Sequence, residues 1–233
     1  MTAEAVSVLN GRLVEEQKTV GPELALRAAL ARPDVLILSA AYFFWSIGVY
    51  GFVLWLPTIV HQGSALSMGR TGLLSAVPYA AAIFAMLFVS QRSDKTLQRR
   101  SLVWRFLLVG GAALTVSFIA HAHFAIAFSA LIVAGACMYA PYGPFFAMVP
   151  ERLPRSVTVE VLAVINSAGA LGGFFGSYFV GWLQGWTGSS QDGYLLMSLS
   201  LLCAATGMFL ISDGLVDQRA PPTSAASGAM KKE

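Results

Sequence analysis

A chain of 233 residues in which 56% are hydrophobic and only 12% are charged has too little polar surface to cover a water-facing globule; soluble domains carry about 25% charged residues. Mean hydropathy is +0.67. The net charge of +3 comes from 15 basic and 12 acidic residues, and the basic clusters lack the interleaved aromatics of a nucleic-acid surface.

Residues 1–34 are mixed in charge and contain no apolar core long enough for a secretory signal. Gly21-Pro22 followed by "ELALRAALAR" predicts a short interfacial helix, with Pro22 suited to its first turn. Beyond it the apolar residues fall into six blocks, at roughly 35–60, 69–90, 103–122, 124–149, 160–184 and 194–213. Each is close to the ~20 residues that cross about 30 Å of hydrocarbon as a helix. None alternates as barrel strands must. The expected fold is therefore an all-α integral membrane domain of six transmembrane helices over 35–213. A cytoplasmic segment (1–34) precedes it and a disordered cytoplasmic tail (214–233) follows.

Orientation follows from the basic residues. With the N-terminus inside, fourteen of the fifteen lie on the cytoplasmic side and only Arg70 lies outside, as the positive-inside rule expects. Both termini are then cytoplasmic.

In the first span, "YGFVLWLPT" groups Tyr50, Trp55 and Pro57; Trp55 is either an interfacial anchor or part of an interrupted polar-aromatic group. The loop after the second span, "SQRSDKTLQRRS", orders an acid, a base and paired arginines as Asp94, Lys95, Arg99 and Arg100. His121 and His123 sit in a very short outer turn, without the further ligands that a metal site needs. The fourth span carries "GACMYAPYGPFFAMVP". Pro141 and Pro144 each lack an amide donor, so the helix should kink and free carbonyls near Tyr139, Tyr142 and Phe146. Such a break is either packed against protein or faces a water-filled cavity.

The fifth span, "INSAGALGGFFGSYFVGWLQ", holds an asparagine and five glycines. At 100° per residue Asn166, Ala170, Gly173, Ser177 and Gln184 share one face, flanked by Gly169 and Gly176. Leu171, Phe175, Phe179 and Trp182 lie opposite. The small face reads as a helix-packing seam. Asn166 needs a partner at membrane depth, either a neighbouring helix or a ligand. Cys137 and Cys203 both fall within spans and are expected as buried thiols without a disulfide.

Taken in order, "YGFVLWLPTIV", "GLLSAVPYAAAIFAM", "YGPFFAM" and the fifth-span stretch resemble the last six helices of the major facilitator superfamily. Within it they are most similar to the anion:cation symporter group. Residues 9–34 resemble its central cytoplasmic loop. Asp94, Lys95, Arg99 and Arg100 fit the family's loop signature, but Ser90 and Leu97 stand where it has glycines. The resemblance implies an inverted 3+3 repeat forming half of a transporter fold, with substrate bound near the midplane. It assigns the substrate-facing positions to Asn166, Tyr142, Phe146, Tyr50 and Trp55.

No acidic or basic residue sits in the middle of a span, and in relatives the coupling groups belong largely to the missing first six helices. The implied function is half of a secondary-active transporter for small organic anions, sugar acids or related carboxylates. Proton coupling would come from a separate N-terminal half or a second copy. The alternative is a non-transporting, truncated or regulatory membrane protein on the same scaffold. The expected partners are the bilayer of the inner membrane and the organic anion, with no nucleic acid, cofactor or metal. Nothing supplies enzyme chemistry, since no nucleophile–base pair or phosphate loop is present.

Overall fold

The structure is a computed structural model describing residues 29–64, 67–153, 155–188 and 192–211. The interfacial helix expected after Pro22 begins outside these residues, and the tail from 214 lies wholly outside them. Among the described residues seven helices follow in order: α1 Pro33–Ser64, α2 Met68–Thr96, α3 Arg99–Ile119, α4 Phe124–Tyr139, α5 Tyr142–Arg152, α6 Arg155–Thr187 and α7 Asp192–Leu210. Six segments of the described residues are long and apolar enough to cross a membrane, because α4 and α5 together make one broken span, Phe124–Arg152.

The helices outrun their apolar blocks. At 32 residues α1 is about 48 Å long, well beyond the ~30 Å hydrocarbon core, so its ends project into the headgroup layers. Pro33 starts it at a position where a missing N–H costs nothing, and Asp34 sits in its first turn beside Arg32 at 3.4 Å. Likewise α2 carries its ladder on through Arg92, Asp94 and Lys95. Polar residues do not end a helix that has left the lipid.

Helices within the same half of the domain touch little, and the main contacts cross between the first three spans and the last three. α1 packs mostly on α6 and α7, α4 on α2 and α3, and α3 on α7. Exchanging the first three spans for the last three turns α1–α6 into α4–α2 and α1–α7 into α4–α3, while α3–α7 maps onto itself. This is the inverted 3+3 repeat. Its centre is a core including Trp45, Phe52, Leu107, Phe145, Met197 and Leu201. Ser198 ties α7 to α3 by donating to the Gly111 carbonyl at 2.8 Å, with its hydroxyl also 2.8 Å from Thr115 Oγ1.

The α1–α6 seam depends on glycine. A Cβ on Gly172 would collide with the Phe43 carbonyl, and one on Gly176 with the Ile47 carbonyl. Backbone thus approaches backbone without intervening side chains, the usual route to tight packing in lipid. The expected seam is rotated, however. The buried stripe runs Val161, Ile165, Gly169, Gly172, Gly176 and Val180, whereas Asn166 and Ala170 are exposed. Closeness of approach chose the face, and glycine outranks a small polar residue there. A second correction concerns Cys203, which lies exposed on α7; only Cys137 is buried.

Candidate functional site

The broken span organises the site. Pro141 and Pro144 cannot donate to the Cys137 and Ala140 carbonyls four residues earlier. The chain responds with a turn at Ala140 and Pro141, after which α5 restarts with Phe145 N–H on the Pro141 carbonyl at 2.9 Å. Trp45 of α1 is buried against this break and donates its indole N–H to the Met138 carbonyl at 3.0 Å. In α1 itself Pro57 frees the Val53 carbonyl, and the Tyr79 hydroxyl of α2 reaches it at 3.5 Å.

Around the break lies a wall of rings. Tyr139, Tyr142 and Phe146 stack successively, with centroids 6.0 and 6.3 Å apart and planes within 22° and 27°. Tyr42 meets Phe146 edge-on at 5.3 Å, and Trp45 lies 4.4 Å from Tyr142. Tyr79 extends the wall from Tyr139 at 6.2 Å. Phe145 is fully buried behind it, but Tyr42, Tyr79, Tyr139, Tyr142 and Phe146 are only partly buried. Such a surface offers ring faces and phenol hydroxyls but no formal charge. It can stack on a flat ligand or hydrogen-bond a polar one, with counter-charge supplied elsewhere.

Of the expected substrate-facing residues, Tyr142 and Phe146 belong to this wall. Tyr50 is 47% exposed, with its ring over Gly173 of α6. Trp55 rests over Gly181 nearer the end of the domain that carries the His121 turn, where its ring packs on α6. Asn166 is exposed, and among the described residues nothing hydrogen-bonds its side chain. Sequence reading missed Tyr42, Trp45 and Tyr79. The run "AYFFW" holds four aromatics in a row, and only the packing distinguishes buried Trp45 from exposed Phe44.

The second constellation stands at the opposite end from the His121 turn. Arg99 forks onto Glu151 of α5, with Nε 2.9 and 3.0 Å from its two carboxylate oxygens, and reaches Asp94 at 3.2 Å. Arg100 donates to the Met208 and Phe209 carbonyls, which satisfies acceptors left open at the end of α7. Lys95 is exposed. The turn forms without the family's glycines. Leu97 takes the left-handed conformation (φ 55°, ψ 12°), with its N–H on the Ser93 carbonyl. Ser90 meets Gly143 of α5, where a Cβ on that glycine would run into the Ser90 hydroxyl. The small residue at this close approach is supplied by the partner helix. Glu151, absent from the sequence-level motif, lies 52 residues from Arg99.

Six spans in an inverted repeat, with a broken helix and an aromatic wall on one side, define one half of a two-half transporter fold. Residues 4–177 match the Major Facilitator Superfamily, and the chain belongs to that family. It is 32% identical over 188 residues to a "Putative tartrate transporter" of Agrobacterium vitis, covering 80% of this chain and 41% of that protein. It is 29% identical over 174 residues to a quinolone resistance transporter of Acinetobacter baumannii, covering 75% and 40%. Identity to the inner membrane transport protein RhmT of Escherichia coli (strain K12) is 30% over 172 residues, covering 73% and 39%. The chain thus spans about two fifths of the length of these curated relatives. Among solved structures, a bacterial homologue of the human lysosomal transporter Spinster, inward-facing and occupied, superposes with TM-score 0.53. Identity there is 21%, over 77% of this chain and 49% of that one; it supports the fold alone.

Proposed function

We propose that this chain forms the C-terminal half of a secondary-active carrier for small organic anions, sugar acids or related carboxylates, in the inner membrane with both termini cytoplasmic. The carrying observation is the partly open ring wall of Tyr42, Tyr139, Tyr142 and Phe146 at a broken span. Interrupted backbone at membrane depth belongs beside protein or a water-filled cavity. Tyr142, Phe146, Tyr50 and Trp55 supply that side of the cavity, and Asn166 offers its amide from α6. The tartrate relatives support the substrate class. Because no span carries a charged residue in its middle, coupling and counter-charge come from a separate N-terminal half, or from a second copy. Segment 1–34, which resembles the family's central loop, is cytoplasmic, and the tail from 214 stays in the cytoplasm.

Proteoliposomes provide the test. The chain alone should show no proton-driven uptake of tartrate or a sugar acid, and co-reconstitution with an N-terminal half should restore it. Asn166→Ala should then weaken uptake without lowering thermal stability, since the side chain is exposed and no described residue hydrogen-bonds it. Destabilisation with unchanged substrate affinity would assign Asn166 to helix packing instead. Coupled uptake by the chain alone would overturn the division of labour, and failure with every N-terminal half would favour a regulatory scaffold.

A further inference from the structure

Helix α3 has a continuous exposed stripe at helical spacing, made of Leu108, Val109, Ala112, Val116 and Ile119. It lies away from the ring wall, which α1, α2, α4 and α5 build, so its surroundings are lipid. One turn before Leu108 and Val109, on the same stripe, stands Arg105, and it is exposed. Its Cα lies about 9 Å along the axis from the start of α3 at Arg99, beyond the first apolar residues of the span. Among the described residues no carboxylate pairs with it.

An arginine on a lipid-facing stripe is costly unless its long stem carries the charge to the interface and finds an anion there. The surroundings of Arg105 are built for that. Its guanidinium carbon stands 5.4 Å from the Trp104 ring centroid. Trp104 meets Phe209 of α7 edge-on at 5.4 Å, and Arg100 lies over the other ring at 5.9 Å. Cation, ring, ring and cation thus run across the end of α3 and α7. Arg100 spends its donors on the last carbonyls of α7, whereas among the described residues no acceptor takes the planar fork of Arg105. A fork of that shape matches a phosphate, and Trp104 marks headgroup depth.

We propose that Arg105, backed by Trp104, binds the phosphate of an anionic phospholipid in the leaflet on the Arg99–Arg100 side. The shared chemistry is phosphate recognition, and the source assigned is a lipid because the donor sits on a stripe whose other members are apolar.

The test uses the purified chain in mild detergent, with phosphatidylglycerol, phosphatidylcholine and inorganic phosphate as probes. Lipid retention is read by native mass spectrometry and protection by thermal melting. Wild type should retain one phosphatidylglycerol more tightly than phosphatidylcholine, and inorganic phosphate should give no protection. Arg105→Gln should weaken that retention about fivefold, the worth of one basic residue near an anionic surface, and Arg105→Lys should weaken it less. Arg92→Gln, which removes an exposed charge outside the Arg105–Trp104–Phe209–Arg100 row, should retain the lipid as wild type does. Arg105→Gln removes a charge from a lipid-facing site and is expected to fold. Should it not, the Arg105→Lys loss of retention decides. Equal retention by wild type and the Arg105 variants would overturn the proposal. So would equal retention of both lipids, or equal protection by inorganic phosphate.

Discussion

Trp45 of α1 donates its indole N–H to the Met138 carbonyl at 3.0 Å, across 93 residues of sequence and directly at the break in the fourth span. The bond satisfies a buried acceptor where the helix ladder is interrupted, and it fixes the ring that backs Tyr142. Trp45→Phe removes the donor together with the five-membered ring of a buried side chain. It should cost about 1–3 kcal/mol for the acceptor left unpaired, plus the cost of the cavity the smaller ring leaves. Thermal denaturation in detergent measures this, and an unchanged midpoint would show that the carbonyl finds another donor.

The α1–α6 seam allows a ranking of glycines. At Gly172 and Gly176 the obstacle to a Cβ is the carbonyl of Phe43 or Ile47, which cannot move without the helix. At Gly173 it is the half-exposed Tyr50 ring. Gly172→Ala and Gly176→Ala should therefore each destabilise by about 1–3 kcal/mol, as overpacking does, and by more than Gly173→Ala. Gly173→Leu, too large for the ring to evade, should disrupt folding. Phe175→Leu, on the exposed face, should stay within about 0.5 kcal/mol. An inverted order would mean that α6 is rotated from this seam.

Leu97 holds φ at 55° and is 70% exposed. An L-residue there carries a left-handed penalty that glycine avoids. Leu97→Gly should therefore raise stability, by less than the roughly 1–2 kcal/mol of the penalty, because glycine loses more backbone entropy on folding. A lowered melting temperature would show that the Leu97 side chain has a contact worth more than the strain.

Arg99 and Glu151 are bidentate, but Glu151 is 43% exposed at its side chain. Solvent screening keeps such pairs small. A double-mutant cycle with Arg99→Ala and Glu151→Ala should give a coupling of about 0.5–1 kcal/mol that shrinks with salt. Arg99→Lys should recover only part of it, since an ammonium cannot reproduce the fork. Zero coupling at low salt would remove any role for the pair in joining α3 to α5.

Orientation is testable in cells by cysteine accessibility. A reporter at Gln98, between α2 and α3, should label from the cytoplasm, and one at Ala122, beside the exposed His121 and His123, from outside. Labelling of both from one side is incompatible with α3 as a span.

By itself the sequence determined the spans, the break and the membrane setting, because each rests on local quantities. Apolar length against bilayer thickness defines a span, and two prolines three residues apart remove two donors wherever the helix lies. The charge order Asp94, Lys95, Arg99 and Arg100 also marks its turn in one dimension. Which side of each helix faces inward was decided only by the tertiary structure. In water the apolar side of a helix is the buried side, so periodicity reports orientation. In lipid both sides are apolar, and that signal vanishes. The α6 seam therefore centres on Gly172 and Gly176 and leaves Asn166 exposed, and Cys203 lies outside while Cys137 lies within. The pairing of Arg99 with Glu151 and of Trp45 with Met138 exists only once an inverted repeat brings distant helices together. Backbone closeness and hydrogen-bond satisfaction selected those contacts, and both are properties of pairs of helices.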